Sequence, residues 1–163
     1  IPIAEGPYTF KDLPGLVLEV YDSEKYFLIT LLSIQNLAEV LPKYQDKDGL
    51  WYQVLDQPMR EGNFPEASVT TQFMYAYAKA VNKGYVDKKY KVYAEKAFKG
   101  LKEKLLVENA DGTLTLTRCC QVGGLGGNPY RDGSFEYYIG EKMRDNDAKA
   151  TGPFIMGCLE LAK

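Results

Sequence analysis

The sequence has no histidine among its 163 residues. Histidine is the commonest general base near neutral pH and the commonest metal ligand, so its absence removes several catalytic classes at once. Ser-His-Asp and Cys-His nucleophilic catalysis are excluded within this chain, and so is the zinc-protease chemistry that uses paired histidines. Any chemistry that this chain carries must use other side chains.

Excess charge of one sign and long apolar runs are also lacking. The formal net charge is −2, so there is no basic surplus to neutralise phosphates and we expect no nucleic acid partner. The longest apolar stretch, Tyr26–Ile34, is far shorter than the roughly 18 residues of a membrane-spanning helix, so we expect no membrane partner. The first residues show no basic segment of a signal peptide, and the compartment stays open between cytoplasm and periplasm.

Cysteine is scarce, with Cys119, Cys120 and Cys158 as its three positions. Without a Cys-x-x-Cys pair they predict free, largely buried thiols, and neither a disulfide framework nor a metal site. The glycines of "GGLGGNPY" (123–130) lack the ending of a P-loop and the spacing of a dinucleotide motif. The sequence therefore predicts no metal and no cofactor.

The sequence is rich in apolar residues at helical spacing, which predicts an all-α domain spanning residues 1–163. Residues 1–22 are expected to be an irregular N-terminal segment. Alternation after a turn signal predicts a small β-hairpin near 111–120. The apolar stripe of the first helix is wide enough to predict burial on more than one side. The predicted helices cover 23–41, 65–81, 88–107 and 154–163.

The long loops between these helices are too aromatic to be disordered. A Tyr- and Trp-rich polar loop surface is typical of carbohydrate sites, because sugar rings stack on aromatic faces and Arg binds a uronate carboxylate bidentately. Loop anchoring is the alternative for the same residues. Seven carboxylates are candidates for glycoside chemistry, although sequence does not show which two would face each other. The aromatic and polar loop residues are Trp51, Tyr52, Tyr130, Arg131, Asp132, Tyr137 and Tyr138, and the carboxylates are Asp46, Asp48, Asp56, Glu66, Asp132, Glu136 and Glu141.

Four segments, in one order, resemble the C-terminal part of glycoside hydrolase family 105, the unsaturated rhamnogalacturonyl hydrolases, and the related family 88. The resemblance covers about Leu31 to Lys163. The segments are "DKDGLWYQVLDQP" (46–58), "EASVTTQFMYAYAKAVNKGYV" (66–86), "GLGGNPYRDGSFEYYIGE" (124–141) and "NDAKATGPFIMGCLEL" (146–161).

The resemblance implies a partial (α/α)6 barrel made of helical hairpins, with a cleft at one end. It implies a substrate whose terminal uronic acid carries a C4=C5 double bond, as pectin lyases leave it. In the family an aspartate protonates this double bond and activates water, which adds at C5; the hemiketal then collapses and the aglycone leaves. No metal or cofactor is needed.

The chain departs from the family in lacking the segments that carry the catalytic aspartates, a histidine and an "RGNGW"-like motif. We therefore carry over no catalytic residue and expect the isolated chain to be inactive. An incomplete barrel should also expose apolar helix faces, and the wide apolar stripe on Ser23–Leu41 is the candidate. The chain could self-associate through such a face. The alternatives are a non-catalytic carbohydrate-binding module and a purely structural helical module. The predicted substrate-binding residues are Trp51, Tyr130, Arg131, Asp132, Tyr138 and Lys149, the last with simple solvent exposure as its alternative.

Overall fold

A computed structural model describes residues 23–163 of the chain, with side chains described from Ile29 onward; the predicted irregular segment 1–22 lies outside this part. Two antiparallel strand pairs accompany the helices: β1 (Leu106–Glu108) with β2 (Leu114–Leu116), and β3 (Cys119–Cys120) with β4 (Met143–Arg144). The helices are α1 (Ser23–Val40), α2 (Ala67–Asn82), α3 (Lys91–Lys104), α4 (Phe135–Gly140) and α5 (Ala148–Leu161), with 3-10 turns at Leu41–Tyr44 and Lys88–Tyr90.

Helices α2 and α5 pack side by side and run in the same direction. Near their first turns the Gln72 side chain donates to the Lys149 carbonyl (3.5 Å), and at their far ends Asn82 donates to the Glu160 carbonyl (2.8 Å). Gly157 lies at the contact between them, where a Cβ would be 3.5 Å from the Tyr75 Cα and would displace the end of the Met74 side chain. The N-terminal ends of both helices therefore lie at the same end of the molecule.

Helices α1 and α3 run antiparallel to α2. Gln35 donates to the Tyr85 carbonyl beyond the C-terminal end of α2, whereas Leu41 accepts from the Trp51 indole near its N-terminal end. The C-terminal half of α3 lies against the same N-terminal end, since a Cβ on Gly100 would meet the Asp48 carbonyl. The helices thus form hairpins of alternating direction.

An aromatic cluster fills the space between these helices, with Tyr77 at its centre. The Tyr77 ring lies 5.8 Å from the Tyr93 ring and 6.4 Å from the Trp51 ring. The Tyr77 hydroxyl donates to the Ala38 carbonyl (3.0 Å), so the buried polar atom is satisfied. Trp51 and Tyr77 are buried, and full burial of a large apolar side chain stabilises a fold by about 1.5–3 kcal/mol.

The predicted mostly α fold with a small hairpin is confirmed. The first two predicted helices agree closely with α1 and α2, the other two differ more in their bounds, and α4 lies in a segment that was predicted to be a loop. Helix α3 ends at Lys104 and not at residue 107, because Leu106–Glu108 pairs with the strand Leu114–Leu116. Helix α5 begins at Ala148 and not at residue 154, so Pro153 lies inside it. Pro153 has no N–H for the carbonyl of Lys149, which accepts from Gln72 instead.

The prediction that the first helix is buried on more than one side is wrong for its described side chains. Ala38 is the buried apolar residue there, and Leu32 and Leu37 are about half exposed. The exposure of Leu32 and Leu37 agrees instead with the expectation that the stripe of the first helix is an exposed apolar face. A second exposed apolar face, which the sequence analysis did not predict, lies on α5. It consists of Ile155, Met156 and Leu159, of which Leu159 is 64% exposed. In the part of the chain that the structure describes, none of the helices combines the length and the apolar character needed to cross a bilayer.

Candidate functional site

The N-terminal ends of α2 and α5 lie against the segment Cys120–Gly124, which is held by hydrogen bonds to several elements. We call this segment the ridge. One side of the ridge opens into a surface cavity of about 340 Å³, the first depression. The first depression lies at the N-terminal ends of the parallel helices α2 and α5. The packing of these helices and the pairing of β3 with β4 determine this position. The lining residues are Gln53, Glu66, Ser68, Val69, Cys120, Gly123, Gly124, Tyr138 and Lys149.

Glu66 joins the ridge to helix α2. Its side chain is the N-terminal cap of α2, because Oε2 accepts from the Val69 N–H at 2.7 Å. Its Oε1 accepts from the Cys120 N–H at 2.8 Å, and the Ser68 hydroxyl donates to both oxygens. Glu66 is only 2% exposed, and these bonds use its acceptor positions. The Glu66 carboxylate therefore has a structural role, connecting α2 to the ridge at the floor of the first depression.

Lys149 joins the other side of the ridge to helix α5. Its ammonium donates to the Gln121 carbonyl (2.9 Å) and to Asp147 Oδ1 (2.8 Å). Asp147 also caps α5 by accepting from the Lys149 N–H, and Arg144 lies 3.7 Å from its other oxygen. The hydrogen bond from Lys149 lowers the pKa of Asp147, and the same bond raises the pKa of Lys149. The ammonium is thus held as a cation at the rim.

Tyr138 and Gln53 complete the polar lining. Gln53 donates to Cys120 Sγ (3.3 Å) and to the Tyr138 carbonyl (3.2 Å), which fixes its amide. Among the described residues, neither Gln53 Oε1 nor the Tyr138 hydroxyl has a hydrogen-bond partner. With the third N–H of Lys149, the depression offers an acceptor, a hydroxyl and a cation to a ligand.

A second depression of about 530 Å³ lies on the other side of the ridge. Consecutive tyrosines of α4 divide between the two sides: Tyr138 lines the first depression and Tyr137 the second, with rings 5.0 Å apart. The Tyr137 hydroxyl accepts from the Gly124 N–H (3.1 Å), and the neighbouring Glu141 raises the pKa of Tyr137. The lining residues are Gln121, Val122, Glu136, Tyr137, Gly140, Glu141 and Lys142.

Arg131, predicted as a uronate ligand, lies outside the residues that line the first depression. Its Nε donates to the Gly126 carbonyl (2.9 Å), and the backbones of the two residues exchange a pair of hydrogen bonds. A Cβ on Gly124 would lie 2.6 Å from its Nη1, so glycine is what lets the guanidinium lie against this backbone. These contacts support the loop-anchoring alternative for Arg131. Tyr130, at the tip of the same loop, is 77% exposed.

Two more predicted residues are engaged in architecture. Trp51 is fully buried, and its indole donates to the Leu41 carbonyl (2.9 Å). Its ring has no exposed face on which a sugar could stack, so the prediction that Trp51 binds substrate is wrong. Asp132 accepts from the Ser134 N–H (2.9 Å), and this bond lowers its pKa. Asp132 therefore shapes the turn before α4.

The candidate carboxylates have separate roles. Asp46 accepts from the Leu50 N–H (2.8 Å), Asp48 lies 3.9 Å from Lys104, and Glu136 pairs with Arg60. Glu66 and Glu141 line the first and the second depression respectively. The sequence did not point to Gln53 or Asp147, although an aspartate two residues before Lys149 is a recognisable helix-capping signal.

The cysteines are free, as predicted. Burial raises the pKa of Cys119 to about 11 and also raises the pKa of Cys120. Both thiols are thus protonated near neutral pH, which makes them poor nucleophiles. Across residues 23–163, no group of three potential ligands among Cys, Asp and Glu comes together to hold a metal ion.

Comparisons with known proteins place these features in a family. The sequence model of Glycosyl Hydrolase Family 88 matches residues 11–163. Protein Atu3128 of Agrobacterium fabrum is 37% identical over 130 residues, and so is the 24.9 kDa protein in the picA locus of Rhizobium radiobacter. In each case the match covers 76% of this chain and 55% of the relative, so the chain spans about half the length of the curated relatives.

A solved structure gives the same result for the fold. The glycoside hydrolase of family 105 from C. acetobutylicum superposes with a TM-score of 0.78 at 40% identity. The superposition covers 86% of this chain and 39% of that protein. The described helices are therefore part of an (α/α)6 barrel.

Proposed function

Because the chain belongs to glycosyl hydrolase family 88, we propose that it is part of a glycoside hydrolase that acts on oligosaccharides ending in an unsaturated uronic acid. The reaction would be hydration of the C4=C5 double bond, followed by loss of the aglycone. The chain spans 55% of its curated relatives and 39% of the solved one. Its own share of the activity is to form one wall of the substrate cleft, with the catalytic aspartate supplied from outside these residues.

The observation that carries this proposal is the set of free polar groups in the first depression. Lys149 uses two of its three N–H groups within the protein, so one remains for a carboxylate oxygen. The Tyr138 hydroxyl and Gln53 Oε1 are free to bond sugar hydroxyls, and the Tyr138 ring offers an apolar face. A uronate combines a carboxylate, hydroxyls and apolar C–H groups, and these three features match the lining.

A non-catalytic carbohydrate-binding module remains the second candidate function, and the same depression favours it. Both functions predict that the protein binds the oligosaccharide, but only a hydrolase would also convert it to product. A purely structural module would show neither. Binding and turnover must therefore be measured side by side on the same preparation.

The test is calorimetric titration with an unsaturated uronate disaccharide, together with the loss of its ultraviolet absorbance. We expect binding without turnover for the isolated chain. Removing the cation in Lys149→Met should weaken binding about 10- to 100-fold, since a hydrogen bond to a charged group contributes roughly 1.5–3 kcal/mol. Lys99→Met is the matched control, because Lys99 is an exposed lysine on α3 that does not line the first depression. Equal affinities in the two variants would contradict the proposal.

We propose further that the isolated chain self-associates through its exposed apolar faces. Ile155 and Leu159 are each more than half exposed on α5, and leaving such a face in water is unfavourable. Light scattering after gel filtration should show a dimer that Leu159→Lys converts to a monomer. A wild-type chain that stays monomeric at high concentration would refute the self-association.

A further inference from the structure

We propose that one face of α3, which we call the lysine face, binds a linear polyuronide, a polymer with one carboxylate on each sugar unit. This face lies apart from both depressions, because none of its lysines is among the residues that line them. The choice of polymer rests on the proposed function, since an oligosaccharide that ends in a uronate is a fragment of a uronate-containing polymer. The lysine face consists of Lys88, Lys89, Lys91, Lys96, Lys99 and Lys102, of which all but Lys91 are fully exposed.

Helical geometry brings these lysines to one side of α3. At 3.6 residues per turn, the four of them that belong to α3 itself fall within an arc of about 140°. The buried residues of the helix, Ala94, Ala97 and Leu101, lie on the opposite side. The preceding 3-10 turn, Lys88–Tyr90, adds two more lysines at the N-terminal end. At 1.5 Å per residue the row is about 20 Å long, which is enough to contact several units of a polymer.

Acidic residues do not neutralise this face. Glu95 and Glu103 lie within the same arc, so six lysines against two glutamates leave four uncompensated positive charges. In the part of the chain with described side chains, the one ion pair on this face joins Lys99 to Glu103 at 3.9 Å. The whole chain has a formal net charge of −2. The positive charge is therefore local to α3 and does not reflect a basic protein.

The lysines also occupy positions that are unfavourable for the helix. The start of a helix favours acidic side chains, but the 3-10 turn and the first turn of α3 contain none beyond the capping Asp87. Lys96, Lys99 and Lys102 follow one another at intervals of three, where like charges on a helix repel. A polyanion laid along this row would relieve the repulsion. Its approach is therefore favoured by the arrangement and not only by the number of charges.

The side-chain types favour a polyuronide over other polyanions. Lysine binds carboxylates as a point charge, without the fixed geometry of a guanidinium, which suits a flexible polymer that can bind in many registers. Single-stranded nucleic acids are usually held by stacking on open aromatic faces, whereas Lys89 lies over the Tyr90 ring at 5.1 Å. A bilayer surface requires apolar side chains that insert. Within the arc, Val92 is the apolar residue and is only 45% exposed.

The test measures binding of the chain to immobilised polygalacturonate at about 20 mM and about 200 mM NaCl. This rise in salt should weaken binding roughly 10- to 100-fold, as expected when several cations release counterions from a polyanion. The triple variant Lys88→Gln, Lys96→Gln and Lys102→Gln should bind about 5- to 20-fold more weakly at low salt, since each exposed charge pair contributes little alone. Its salt dependence should also be smaller. Glutamine is a good helix former, so the circular dichroism spectrum should not change.

A matched control removes the same charge from another part of the surface. Lys43→Gln, Lys83→Gln and Lys163→Gln change three exposed lysines outside this face. This control should alter the affinity for the polymer less than two-fold. Equal weakening in the two triple variants would overturn the lysine face, because net charge alone would then explain binding. Tighter binding of the wild-type chain to a single-stranded oligonucleotide or to phosphatidylserine vesicles than to polygalacturonate would overturn the choice of polymer.

The outcomes separate this inference from the proposed function. Lys149→Met should weaken binding of the unsaturated disaccharide and change the affinity for the polymer less than two-fold, whereas the variant of the lysine face should do the reverse. Polymer binding that depends on Lys149 and not on the lysine face would overturn this inference and leave the uronate site in place. Polymer binding through the lysine face without any binding of the disaccharide would overturn the uronate site alone.

Discussion

Removing the Glu66 carboxylate should destabilise the chain strongly, because one buried group holds the ridge and α2 together. Glu66→Ala would leave the Val69 and Cys120 N–H groups without their acceptors. Each unsatisfied buried donor costs about 1–3 kcal/mol, and loss of a helix cap costs about 1 kcal/mol. Because the Val69 bond is itself the cap, the two terms overlap, and we expect a total loss of about 3–5 kcal/mol.

Thermal unfolding followed by circular dichroism measures this loss. For a domain of this size each kcal/mol lowers Tm by roughly 2–4 °C, so Tm should fall by about 6–20 °C. Urea unfolding gives the free energy of unfolding independently. Glu95→Ala is the control, since Glu95 is exposed on α3, and it should change stability by less than about 0.5 kcal/mol.

Glu66→Gln sharpens the test because it keeps the shape and removes one acceptor oxygen. Its amide nitrogen must face either the Val69 or the Cys120 N–H, so two donors oppose each other. We expect an intermediate loss of about 1–3 kcal/mol. If Glu66→Ala lies within about 1 kcal/mol of wild type, the ridge is held by other contacts and the reasoning is refuted.

Two further predictions concern the neighbouring loops. Arg131→Ala should lower stability by about 1–2 kcal/mol through loss of the loop bond to Gly126, with little effect on uronide affinity; the reverse pattern in calorimetry would make Arg131 a ligand residue. The folded-state pKa of Asp147 is lowered by Lys149, so its stabilising contribution is complete above its unfolded pKa near 3.8 and disappears as pH falls through the folded pKa. Asp147→Asn should remove this part of the acid sensitivity in pH-dependent melts.

The sequence allowed the helical architecture to be predicted because local spacing carries most of that information. Helix 88–107 was predicted from apolar residues at helical spacing, and those that follow Tyr90, namely Ala94, Ala97, Leu101 and Leu105, are all buried. Its end was misplaced because the competing strand pair depends on residues ten positions away in sequence, in Leu114–Leu116. Similarly, Pro153 indicated a helix start, whereas Gln72, from another helix, satisfies the carbonyl that Pro153 leaves open.

The candidate site was harder to predict because burial and partnership are tertiary properties. Trp51 and Tyr138 have similar loop settings in the sequence, yet Trp51 is fully buried and Tyr138 lines a depression. Nothing local distinguishes them, since the partners that bury Trp51, among them Leu41, Thr70 and Phe73, come from other parts of the chain. Arg131 likewise looks like a ligand residue in sequence, and its partner, the Gly126 carbonyl, becomes visible only in the folded loop.

The arrangement of caps at the site determines which group can attract a carboxylate. The positive ends of α2 and α5 meet at the first depression, and helix N-termini generally favour anions. Here both ends are already capped by acidic side chains, Glu66 on α2 and Asp147 on α5. These carboxylates offset the partial positive charge and occupy the first N–H groups, so the helix ends have little left for a ligand. Affinity for a uronate should therefore depend on the Lys149 ammonium, which is why its removal should have a large effect although Lys149 is half exposed.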